Sequence, residues 1–143
     1  MINYFKMRNY SILDLIPLED FIRTSSLRFL TQVWRNLGSF DTIRNPAYLR
    51  EINGFLYAED GNHRCVWKLI NGIYTINAEL EKTDDETARI TLLTANSVRK
   101  RGVHKFEDLV KMVKNPEQFT ITGPIIHRIT MEDLQSPDYF LKI

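Results

Sequence analysis

Residues 58–72 read AEDGNHRCVWKLING, in which Asp60, Asn62, His63 and Arg64 surround one glycine directly before an apolar stretch with helical spacing. Those residue types in that order fit anion chemistry. The first turn of a helix leaves backbone N–H groups unpaired and carries the positive end of the helix dipole, so phosphate groups settle there. Gly61 lets the backbone come close to a ligand, Arg64 supplies a bidentate donor, and His63 can donate a hydrogen bond or exchange a proton near neutral pH. Asn62 can cap the helix or touch the ligand. Asp60 would repel a bare phosphate, so its expected task is to orient His63 or Arg64, or to hold a Mg2+ ion that bridges to phosphate. The expectation is a phosphate or nucleotide site. The same five residues also fit a plain surface turn, because Asp-Gly is a common turn and Asn a common cap.

Other chemistry-bearing residues are more scattered. VRKRGVHK (98–105) gathers Arg99, Lys100, Arg101, His104 and Lys105, cations that could neutralise nucleic-acid phosphates and so make DNA a candidate partner. No aromatic residue is interleaved for base stacking, and a solvated turn is the plainer reading. His127-Arg128 would add charge to a cleft or face water. The three histidines lack the pair spacing of a metal site and no cysteine cluster accompanies them, so a metal site built on histidine is not expected, and Asp60 is the candidate Mg2+ ligand of the turn. There is no P-loop and no dinucleotide fingerprint.

Positioning these groups takes a folded core, and 143 residues suffice for one, since a chain of about 150 buries roughly 70% of its unfolded surface. A single domain over 1–143 is expected. A net charge of +1 gives no overall case for non-specific nucleic-acid binding. One cysteine, Cys65, excludes an internal disulfide and a paired-cysteine zinc site, which fits a reduced, cytoplasmic setting. No apolar run approaches the roughly 18 residues that span a bilayer, so no membrane partner is expected.

The elements follow from periodicity and breakers. YSILDLI (10–16) reads as a strand closed by Pro17, and Glu19 and Asp20 lead into a linker. Leu27, Leu30, Trp34 and Leu37 fall three or four apart, which predicts a helix over 24–37 capped by Thr24, Ser25 or Ser26 and ended by Gly38. Asn53-Gly54 predicts a type I′ hairpin between strands at 47–52 and 55–59. Asp60-Gly61 is a second turn, His63 to Ile70 a short helix with Val66, Leu69 and Ile70 facing in, and 73–81 a strand broken by Thr83-Asp84-Asp85. TARITLLTANSVRKRG (87–102) fits either a strand and turn or a helix. Phe106, Leu109, Val110 and Val113 form a helical stripe stopped at Asn115-Pro116. Residues 118–130 look β-like around Gly123-Pro124, and 131–143 read as a short helix and tail. The interleaving defines an α/β or α+β domain.

FLYAEDGNHRCVWKLING (55–72) resembles the signature segment of the ParB/sulfiredoxin superfamily, in which a strand ends in an acidic-Gly-x-His/Arg-Arg turn and runs into a short helix. The surroundings agree in order over residues 10–81: ILDLIPLEDF, the helix at 24–37, Gly38, Pro46 with AYLRE, the signature, and Gly72 with IYTINAEL. The resemblance implies a small mixed sheet flanked by short helices, with the signature turn holding nucleotide phosphates. Residues 82–143 match nothing in the family and stand as a part of unassigned role packed on that core. Members divide among chemistries: sulfiredoxins use ATP and a cysteine inside the motif, chromosome-partition proteins bind CTP and DNA, and relatives include free-serine kinases, proposed nucleases and protein-modifying toxins. Gly61, His63 and Arg64 match phosphate-contacting positions, and Asp60 matches the acidic residue of the DGNHR branch. Asn62 stands where sulfiredoxin has its reactive cysteine, which argues against sulfinic-acid repair. Cys65 lies beyond the motif and reads as a small buried apolar residue. Trp67 departs from the small residue often found there. Ser25, Ser26, Arg28 and Thr31 are the counterparts of helix residues that reach the nucleotide, although capping explains the serines equally. Glu19 and Asp20 would supply a general base or metal ligand. The implied function is binding of ATP or CTP with Mg2+, with phosphoryl transfer or phosphodiester hydrolysis at the turn. A DNA-associated module without turnover and a protein-modifying enzyme are the alternatives.

Overall fold

The computed structural model describes residues 7–43 and 45–122. Thus the β-like segment expected over 118–130, for the most part, and the helix and tail after it, with His127 and Arg128, lie outside the described residues. Five strands, β1 (Met7–Ser11), β2 (Leu15–Pro17), β3 (Ala47–Ile52), β4 (Phe55–Asp60) and β5 (Thr75–Lys82), form one sheet in the order β1-β5-β3-β4-β2. The helices are α1 (Thr24–Leu37), α2 (Asn62–Ile70), α3 (Asp85–Lys100) and α4 (Phe106–Val110). The sheet is mixed: β1/β5 and β3/β4 are antiparallel, β3/β5 and β2/β4 parallel. The chain is an α/β domain.

The single strand expected at 10–16 is instead two strands on opposite edges of the sheet. A 3-10 turn at Ile12–Asp14 separates them, with Ile12 fully buried and its N–H donated to the Tyr74 carbonyl at 2.8 Å. The Asn53-Gly54 hairpin forms as its positive-φ residues require, with φ of 53° and 82°. Alternation along β4 sends Leu56 and Ala58 to one face and Tyr57 to the other. On the first face Ala47, Leu49, Ala58, Ile76 and Ala78 share a core with Leu27, Leu30 and Val33 of α1 and with Val66 and Trp67 of α2. On the second, Ile52 and Tyr57 pack with Ala95, flanked by Ala88 and Leu92 of α3.

Residues 87–102, for which periodicity left two readings, belong to one helix. Asp84 decides it by capping: its carboxylate accepts the Thr87 N–H at 2.8 Å, and Asp85 and Glu86 in the first turn and Arg99 and Lys100 in the last suit the dipole. α1 ends at Gly38 as expected, but its N-cap is Arg23, and none of Thr24, Ser25 and Ser26 caps it. The stripe from Phe106 is helical only to Val110. Turns then lead to Asn115 and a 3-10 helix at Pro116–Phe119, which buries Phe119.

Candidate functional site

The turn at 60–64 is built by an irregularity in the sheet. Tyr48 pairs with Asp60 and Leu49 with Ala58, so Glu59 is an extra residue and β4 carries a bulge at its end. Gly61 follows at φ 94°, a conformation L side chains rarely adopt. A Cβ there would lie 2.8 Å from the Ala47 Cβ and 3.3 Å from its Cα. The close approach expected between Gly61 and a ligand is therefore made to β3.

α2 begins one residue earlier than expected, at Asn62, and its first three side chains are all buried: 2% exposed for Asn62, 4% for His63 and 8% for Arg64. This burial rules out a plain surface turn for Asn62, His63 and Arg64. Each side chain bonds the backbone of a different segment. Asn62 does not cap α2; its Oδ1 accepts the Leu18 N–H at 3.2 Å and its Nδ2 donates to the Ala58 carbonyl at 2.9 Å. His63 Nε2 accepts the Arg23 N–H at 2.9 Å, serving the helix start that the serines leave uncapped. Arg64 Nη2 donates to the Asn45 carbonyl at 2.6 Å.

Because Nε2 accepts a hydrogen bond, the neutral imidazole carries its proton on Nδ1. That atom faces Glu19, whose Oε1 lies 4.0 Å away, beyond hydrogen-bond length but close enough to act on its charge. Glu19 thus faces the turn at 60–64 as expected, and it, not Asp60, is the carboxylate beside His63. Asp60 interacts electrostatically with Arg64. Its carboxyl is held above the usual range by partial desolvation and then by Glu59, with Arg64 and Arg50 pulling the other way. Asp20 turns from the site and pairs with Arg101.

Ser26 is 2% exposed and its Oγ makes no hydrogen bond. Ser25 is exposed. Thr31 is committed to structure: its hydroxyl donates to the Leu27 carbonyl at 2.8 Å and accepts the Trp67 indole N–H at 2.9 Å. Trp67 is fully buried, with Trp34 and Phe40 ring centroids 5.2 and 4.9 Å away. Cys65 is buried as expected, and desolvation pushes its thiol up to about 12.

Arg99 and Lys100 are exposed in the last turn of α3 and Arg101 follows it, so successive side chains point about 100° apart rather than forming one face. Arg99 and His104 line a groove of about 330 Å³ between α3 and the sheet. Among the described residues no three His, Cys, Asp or Glu side chains converge to hold a metal ion, and no helix is long and apolar enough to cross a membrane.

The periodicity could not reveal Leu18, Arg23 and Asn45 as partners of the turn, since the bonds that hold it come from their backbone N–H and carbonyl groups. Nor did it reveal the Arg50 guanidinium between Glu59 and Glu81, at 3.1 and 3.7 Å, or Tyr48, whose hydroxyl is held above its usual range by burial and by Glu79 and Glu81. Strand alternation and the bulge at Glu59 are the signals that bring those residues together. Fold and site together define an α/β domain with a buried polar turn between β4 and α2. No protein-family model matches the chain, and neither does any of the curated proteins compared with it.

Proposed function

We propose that the chain binds a nucleotide by its phosphates where the N-termini of α1 and α2 meet, and that it catalyses phosphoryl transfer or phosphodiester hydrolysis there. One observation carries this reading. The 2.9 Å bond from the Arg23 N–H to His63 Nε2 brings the start of a 14-residue helix against the first turn of a 9-residue one. Two positive dipole ends that converge favour an anion between them. Glu19 brings one negative charge to this junction, and the buried Ser26 hydroxyl, three residues beyond Arg23, has a donor to spare.

In this reading the first-turn amides after Gly61 receive a phosphate, Arg64 balances its charge, and Asn62 and His63 hold the walls. Glu19 takes the proton of the attacking group, while His63, whose Nε2 already accepts the Arg23 N–H, faces Glu19 through Nδ1 and positions it. Asp60 would be the single carboxylate that helps hold a Mg2+ ion brought in by the nucleotide, and such an ion would neutralise phosphate charge; one carboxylate suits Mg2+, which keeps most of its water. The resemblance to the ParB/sulfiredoxin superfamily supports the same assignment. Titration calorimetry with ATP and CTP, with and without Mg2+, tests it on the native chain and on Ser26→Ala and Arg64→Ala. Saturable binding weakened by both substitutions, in variants that keep the native melting profile, is the expected result; no binding of either nucleotide at millimolar concentration refutes it. If a nucleotide binds and is not turned over, the domain is a binding module. DNA as a further partner of such a module is tested by retention of duplex DNA at low salt, lost on neutralising the exposed Arg99 and Lys100.

A further inference from the structure

The segment 18–23 that crosses the start of α2 contains one large apolar side chain turned outward. Phe21 is 44% exposed, while its neighbours Glu19 and Asp20 face His63 and Arg101. Its ring centroid lies 6.0 Å from that of His63 at 54°, and the Arg23 guanidinium carbon lies 5.7 Å from the same centroid. A half-exposed aromatic ring is therefore placed one ring away from the His63 imidazole, with a planar cation lying over it. Aromatic rings and guanidinium planes are the two side-chain surfaces on which nucleobases stack.

We infer that Phe21 and the Arg23 guanidinium lying over it together form the base platform of the site, so that the ligand class is a nucleotide with a stacked base and not a bare polyphosphate. This rests on the phosphate reading above. A π-face is common to every base, so all four ribonucleoside triphosphates gain from the platform, the larger purines most. Base–aromatic stacking corresponds to a gain of about 5- to 150-fold in affinity.

Calorimetry of the full chain with inorganic triphosphate, ATP and CTP, each with Mg2+, separates the two readings. The native protein is expected to bind ATP at least about fivefold more tightly than inorganic triphosphate. Phe21→Ala should bring ATP down to the level of triphosphate and leave triphosphate unchanged; Phe21→Tyr should retain the difference. Phe21→Leu keeps an apolar side chain without a π-face and should behave as Phe21→Ala. Equal ATP affinity in native, Phe21→Ala and Phe21→Leu proteins overturns the platform while triphosphate binding leaves the phosphate site standing. Failure of the native chain to bind triphosphate or either nucleotide overturns both.

Discussion

Gly61→Ala tests the geometry of the turn without reference to any ligand. Two costs add. At φ 94° an L residue is strained by about 1–2 kcal/mol relative to glycine. The added methyl would lie 2.8 Å from the Ala47 Cβ, against an optimum near 3.5–4.0 Å, and relieving such overpacking costs about 1–3 kcal/mol. The sum, about 3 kcal/mol, is a large part of a domain's usual 5–15 kcal/mol and lowers the melting temperature by roughly 10 °C for a chain of this size. Gly38→Ala is the control: φ is 73°, but nothing lies within 4 Å of the added atom, so only the strain term applies. Urea unfolding followed by the fluorescence of Trp34 and Trp67, both in contact with the core around α2, gives the two stabilities. A loss about 2 kcal/mol greater for Gly61→Ala is expected. Adding Ala47→Gly should recover part of the excess, since it removes the Cβ at 2.8 Å and leaves only the Cα at 3.3 Å. Equal losses at Gly61 and Gly38 would show that β3 does not crowd the turn.

Three further outcomes follow from buried groups and caps. Thr31→Val keeps the shape but leaves the Trp67 indole N–H, now bonded at 2.9 Å, without an acceptor, and should cost about 1–3 kcal/mol in urea unfolding. Cys65, fully shielded and with its thiol pushed up to about 12, should react with a thiol reagent at pH 8 only as fast as the protein unfolds; immediate labelling of the native state would contradict its burial. Asp108 accepts the N–H groups of His104 and Lys105, which hold its carboxyl below the usual range. A lowered folded value means that its contribution is present above the unfolded pKa near 4 and disappears as pH falls through the folded one. Asp108→Asn should therefore flatten the acid side of the melting-temperature profile, and a profile unchanged between pH 2 and 5 would refute the assignment.

The elements that sequence periodicity located well are those whose own residues decide them. The α1 stripe with its Gly38 stop, the Asn53-Gly54 hairpin and the run into α2 all fall where local pattern and turn chemistry agree. Residues 10–16 did not, because a buried 3-10 turn and two short edge strands share the composition of one strand. Only pairing with Thr75 on one side and Leu56 on the other tells them apart. α3 was ambiguous since Ile90 and Leu93 are exposed at 55% and 61%, which blurs the apolar stripe; its cap at Asp84 carried the information instead. At the candidate site the residue types were legible but their bonds were not. Asn62, His63 and Arg64 were expected to face a ligand, and each is bonded to main-chain atoms 19 to 44 residues away.

Two of those bonds set a distance along the chain. Leu18 and Arg23 are the feet of the segment between β2 and α1, and they are held by neighbouring residues, Asn62 and His63. Five residue steps, which fully extended would reach roughly 17 Å, begin and end on one turn of helix. The intervening chain has to arch outward whatever its sequence, carrying Glu19, Asp20 and Phe21 at its crown. Residues inserted there would raise the arch and leave its feet in place. The crown is the part of the protein whose length can vary while the two helix starts stay joined, so an insertion there should change the surface around α1 and α2 without unfolding either.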